Sequence, residues 1–135
     1  MKKTGSEIEA DVFAILRASA LKTTIAGLIY KEDMRPINAT TEDAVVSFMT
    51  GLDGQIQVGV VTINVFVPMI DIGDGTRAKN TTRCKQIEML MQAIVSGLKP
   101  DEYRFTLDTI IKTFKVEGAN QHFVNTKLKF ERTSF

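Results

Sequence analysis

Gln55-Ile56-Gln57-Val58-Gly59-Val60-Val61-Thr62-Ile63-Asn64-Val65-Phe66-Val67 is the stretch that decides how this chain reads. Val61, Ile63, Val65 and Val67 share one parity while Thr62 and Asn64 take the other, which is the period-two signature of an extended strand. Val58 and Val60 lie on the opposite parity. That phase change near Gly59–Val61 predicts a β-bulge or a change of strand partner. Upstream, Ala44 to Met49 is apolar and β-rich, and Thr50-Gly51-Leu52-Asp53-Gly54 supplies turn chemistry. The spacing predicts a hairpin of Ala44–Met49 with Gln55–Val67.

Toward the N-terminus, Ile8, Val12, Ile15, Leu16 and Ala20 recur at helical spacing and predict an amphipathic helix over Ser6–Lys22. Ser6 is its expected cap, Glu7, Glu9 and Asp11 suit the positive end, and Ser19 reads as a small residue that tolerates a close neighbour. Gly27 closes this section and Leu28-Ile29-Tyr30 reads as a short strand. Pro36 drives Arg35 toward extended geometry.

Beyond the hairpin, Asp71 to Asn80 offers little apolar surface and predicts an exposed, mobile loop. Thr81 or Thr82 opens a second helix, in which Ile87, Leu90, Met91, Ile94, Val95 and Leu98 keep the amphipathic rule until Lys99-Pro100 stops it. Tyr103–Val116 and His122–Arg132 predict a closing hairpin. Val124, Thr126, Leu128 and Phe130 alternate with polar neighbours. Phe105 and Leu107 lie on the opposite parity to Phe114 and Val116, so that strand is buried on both faces or bulged. The fold class expected is α+β, a mainly antiparallel sheet with two amphipathic helices packed on it, in one domain over residues 1–135.

The 135 residues are 44% hydrophobic and 24% charged, with a formal net charge of +1. These values are ordinary for a globular domain and provide no global field to attract nucleic acid. One cysteine excludes an internal disulfide and suits a reducing compartment. Glu7, Glu9 and Asp11 interrupt any signal-like apolar segment, and the Val58–Ile70 run is too short to cross a bilayer as a helix. A cytoplasmic protein without membrane contact is expected.

Candidate chemistry is sparse. His122 has only Glu117 nearby in sequence to orient it, and a structural or solvent-exposed role is the reading. Cys84, flanked by Arg83 and Lys85 in a first helical turn, could carry a lowered pKa but lacks a resolving partner. Asp71, Gly73, Asp74 and Gly75 resemble a calcium loop superficially, but the closing position falls on Thr82, so a plain loop is expected. Glu42-Asp43 and Asp101-Glu102 read as solvated surface pairs. Lys127 and Lys129, joined by Lys112 or Lys115, form a basic patch with thin aromatic support, which disfavours sequence-specific nucleic-acid binding. No catalytic residue, cofactor or metal is expected.

The N-terminal helix ending in Gly27-Leu28-Ile29-Tyr30, the Arg35-Pro36 loop, the Gln57–Val67 strand, the following loop and the Arg83–Leu98 helix together resemble the tail-terminator, or tail-completion, proteins of long-tailed phages and prophages. The resemblance implies a non-enzymatic morphogenesis protein, found in the host cytoplasm and the virion. It also implies a homo-oligomeric ring, commonly a hexamer, that closes the tail tube at the joint with the head. The partners expected are then other copies of the chain, the tail-tube protein and the head connector. Arg35, Pro36, Asp74, Arg77 and Lys79 are the contact residues expected on this reading. The alternative is a small intracellular module that binds a protein or peptide by strand addition.

Overall fold

A computed structural model describes residues 1–133. The first helix, α1 (Gly5–Arg17), starts at Thr4, not Ser6. The Thr4 hydroxyl accepts from Glu7 N–H while the Glu7 carboxylate accepts from Thr4 N–H, a reciprocal cap. Ile8, Val12 and Leu16 form its buried stripe. The expected continuation to Lys22 is broken at Ser19, whose hydroxyl donates to Leu16 O and accepts from Leu21 N–H. A cap in mid-pattern ends one helix and begins another, α2 (Ala20–Thr24).

Among the described residues eight strands follow the expected order with more breaks than expected. They are β1 (Ile29–Lys31), β2 (Ala44–Leu52), β3 (Ile56–Pro68), β4 (Ile70–Asp71), β5 (Arg77–Ala78), β6 (Tyr103–Leu107), β7 (Lys112–Lys115) and β8 (Gln121–Thr133), with α3 (Thr81–Gly97) between β5 and β6. The main sheet runs β1-β2-β3-β8-β6, and β7 pairs with β8 beside β6. Among the described residues only the β1–β2 pair is parallel, so the sheet is mainly antiparallel and the α+β class holds, with three helices there in place of two.

The predicted hairpin is β2–β3. Phe48 pairs with Val61 and Thr50 with Val60, so the extra residue is Met49 on β2. β3 itself pairs with β8 without interruption from Ile56 to Pro68. The phase change in the β3 sequence therefore marks two half-buried valines, Val58 and Val60, on the face away from the helices, and the bulge lies in its partner. The predicted strand Tyr103–Val116 is two pieces. Leu107 pairs with Leu128 but Lys112 with Asn125, so five steps on one side meet three on the other. This interruption accounts for the change of parity between Phe105 and Phe114.

All three helices pack on one face of the sheet. Val46, Ile63, Val65, Val124 and Leu128 from the sheet meet Val12, Leu16, Leu21, Ile87 and Met91 from the helices in one apolar cluster. The opposite face carries Val45, Asn64, Phe66, Phe123, Asn125 and Lys127, which alternation and register place together.

Two further expectations are corrected. Residues 71–80 are mostly exposed, as expected, but they are not all loop: Ile70–Asp71 pairs with Arg77–Ala78 as the small β4–β5 hairpin. Gly73, Asp74 and Gly75 take positive φ (130°, 51° and 77°), and glycine's missing Cβ permits that tight path. The pair Glu42-Asp43 is buried, not solvated, as described below.

Candidate functional site

Arg35 is the best-connected of the expected contact residues. Its Nε donates to Asp43 Oδ2 at 3.0 Å, and Nη2 donates to Thr41 O, Ala39 O and Gln121 Oε1. Asp43 is 1% exposed and also accepts from Thr41 Oγ1 and from Leu28 N–H. The loop before β2 is thereby fastened to the start of β8. Burial pushes the Asp43 carboxyl up, but these hydrogen bonds and the Arg35 charge outweigh it and hold it below its ordinary value. Neighbouring Glu42 turns the other way and takes Arg83 in a two-pronged pair at 2.6 and 2.8 Å, while Arg83 Nη2 also donates to Thr24 O. The two adjacent acids thus tie β2 to the Arg35 loop and to α3.

The other expected contact residues lie as follows. Pro36 is exposed beside the Arg35 clamp. Asp74 sits at the turn of the β4–β5 hairpin, Arg77 is exposed opposite Asp71 in β5, and Lys79 is exposed just before α3. Arg77 lines a shallow groove with Met69, Lys115 and Asn120, next to the Gln121 that Arg35 holds. The fold therefore gathers the Arg35 loop, the hairpin and the β7–β8 turn at one end of the sheet. Ile70 and Ile72 on that hairpin are exposed.

The groups with chemical potential are dispersed. Cys84 is buried on α3, and burial raises its thiol pKa, the opposite of an activated nucleophile. His122 lies at the start of β8 with a buried Nδ1 that has no hydrogen-bond partner. Burial lowers its pKa, and the charges acting on it are the cations Lys79 and Lys115, not an orienting carboxylate. Asp11 accepts from the Tyr103 hydroxyl and from Lys3, both at 2.6 Å, at the far end of the sheet. Among the described residues no group of three or more His, Cys, Asp or Glu could hold a metal ion. No helix among them is long and apolar enough to cross a membrane.

What remains is surface. On the face away from the helices an open groove of about 530 Å³ is lined by Leu52, Val58, Val60, Arg104, Lys129 and Glu131. The sheet ends in two different edges, β1 on one side and β6 with β7 on the other. Leu28, Met34 and Ile37 are exposed beside the first edge, and Met89, Ile110 and Phe114 beside the second. Sequence reasoning missed these edge residues. The parity of Phe114 against Phe105 was the available signal, since it placed a large ring away from the helix face.

No family model matches this chain, and no curated protein matches it. Several solved structures match, among them a protein chain similar over 98% of this chain and 99% of its own length, with a TM-score of 0.53 and 18% sequence identity. At that identity the likeness concerns the fold alone.

Proposed function

We propose that this chain is a non-enzymatic assembly subunit of a phage or prophage tail. It forms a ring at the head–tail joint, as the tail terminators it resembles do. The observation that carries the reading is the pair of unlike sheet edges, each bordered by exposed apolar side chains. An unpaired strand edge beside apolar surface invites another chain. Because the two edges differ, joining one to the other is a head-to-tail contact, which closes into a ring when the rotation between copies divides a full turn. The dispersal of Cys84, His122 and the buried acids is consistent with a role performed by surfaces. The end of the sheet that gathers Arg77, Lys79 and the exposed Ile70 and Ile72 is then the face offered to the tail tube or the connector.

Native mass spectrometry and light scattering across a concentration series test the reading. A closed oligomer of fixed stoichiometry, commonly six, is expected. The same edges also suit a module that captures one extended peptide by strand addition. That second reading predicts a monomer that binds peptide at 1:1.

A further inference from the structure

The two edges complement each other in direction, facing and charge. β2 and β8 are both antiparallel to β3 and so run the same way. β1 follows β2, whereas β7 opposes β8, so β1 and β7 run in opposite directions. A rotation about an axis lying roughly along the strands preserves these directions. β1 of one copy then meets β7 of the next as an antiparallel pair, the pattern already dominant in the sheet.

Their facing agrees. One lateral row crosses the sheet through Tyr30, Val45, Asn64, Asn125 and Lys112, with Asn125 Nδ2 donating to Asn64 Oδ1 at 2.7 Å on the face away from the helices. Tyr30 and Lys112 are therefore the two ends of that row. Two positions along β7 on the same face, Phe114 stacks on Phe123 at 5.4 Å, Phe123 meets Phe66, and Arg35 covers Phe66. This aromatic row ends at Phe114, which is 42% exposed and has the Lys112 ammonium over its ring at 5.1 Å.

The charges agree as well. Glu32 and Asp33 follow β1, and Lys112 and Lys115 bound β7. Among the described residues none of these four has an ion-pair partner. The edges also match in length, three residues against four.

We infer that a second copy of this chain covers the β7 edge with its own β1, in the antiparallel register that sets Tyr30 opposite Phe114 and Glu32 opposite Lys112. This inference rests on the ring reading and specifies its contact. Cross-strand aromatic and opposite-charge pairs are the units that stabilise such a junction, and like charges in the same places oppose it. The sheet then continues from copy to copy, and the aromatic row of one copy extends into Tyr30 of the next.

Sedimentation velocity on the full chain tests this with Glu32→Lys, Lys112→Glu and the double exchange, with circular dichroism verifying that each variant folds. Each single reversal is expected to weaken association by roughly tenfold or more, and the double exchange to restore it. A Tyr30→Cys, Phe114→Cys chain should give a ladder of covalent oligomers on oxidation, because directly opposed antiparallel residues lie within disulfide reach. Oligomers indifferent to both reversals and giving no ladder overturn the edge pairing and leave the ring standing. Single variants that dissociate without rescue in the double overturn the register. A parent chain that stays monomeric and unlinked at about millimolar concentration overturns the pairing and the ring together.

Discussion

Arg35 Nε lies 3.0 Å from Asp43 Oδ2 while its guanidinium sits 4.1 Å above the centre of the Phe66 ring, so one side chain neutralises a buried acid and roofs an aromatic row. Removing it leaves the carboxylate in place without its counter-charge. Arg35→Ala is expected to cost about 3 kcal/mol of folding stability. Arg35→Lys should recover only part of this, because an ammonium cannot repeat the planar stack and fork. Urea unfolding measures both, and an unchanged midpoint in Arg35→Ala would rule the clamp out.

Acid should loosen the same place. The Asp43 carboxyl titrates below its ordinary value in the folded chain, against burial, through Thr41, Leu28 and Arg35. Its folded pKa is thus lower than its unfolded one. The stabilisation is complete above the unfolded value and disappears as pH falls through the folded one. Stability should decline below about pH 4, and Asp43→Asn should flatten that decline. Thermal melts from neutral to acid pH on both chains measure it, and parallel curves would refute the assignment.

Gly27 occupies a place no side chain can enter. A Cβ there would meet Asp43 Oδ1 and would lie 2.5 Å from the Glu42 carbonyl oxygen. Gly27 N–H donates to that carbonyl oxygen, so the two strands of backbone cannot separate cheaply. Gly27→Ala is expected to cost about 2–3 kcal/mol, read as a lowered denaturation midpoint. Gly97→Ala, where a Cβ meets open space within α3, should be neutral or stabilising.

The Cys84 thiol should resist labelling. It is 2% exposed and its pKa is raised by burial, so little thiolate forms at neutral pH. A thiol reagent should react at the rate of unfolding and speed up sharply in denaturant. Rapid stoichiometric labelling of the native chain would show that the α3 packing is wrong.

The elements legible in the sequence were those with one buried face. Val61 to Val67, Val124 to Phe130 and Ile87 to Met91 each repeat at the period of their element, and they became β3, β8 and the core stripe of α3. Ser19 misled because its hydroxyl could cap or simply occupy little space, and composition alone does not distinguish the two. Glu42 and Asp43 misled because two acids side by side suit water, and the arginines that bury them come from 8 and 41 positions away. Asp74, Arg77 and Lys79 lie with the Arg35 loop at one end of the sheet, a proximity that no spacing in the sequence shows, and Arg35 is itself engaged in a clamp. The complementarity of Glu32 with Lys112 appears only once the sheet order is known.

β8 touches more of the sheet than any other strand, bonding to β3 along its full length on one side and to both β6 and β7 on the other. During synthesis the segments before Gln121 emerge from the ribosome with the middle of their sheet missing. β3 then has only β2 beside it, and β6 and β7 have no strand to join. Assembly of the domain must therefore wait for a segment made well after the first hairpin, and its rate is governed by long-range closure, not by local helix formation. A nascent chain stalled before Gln121 would present apolar strand faces to chaperones, and quality control can discard it while the sheet is still incomplete.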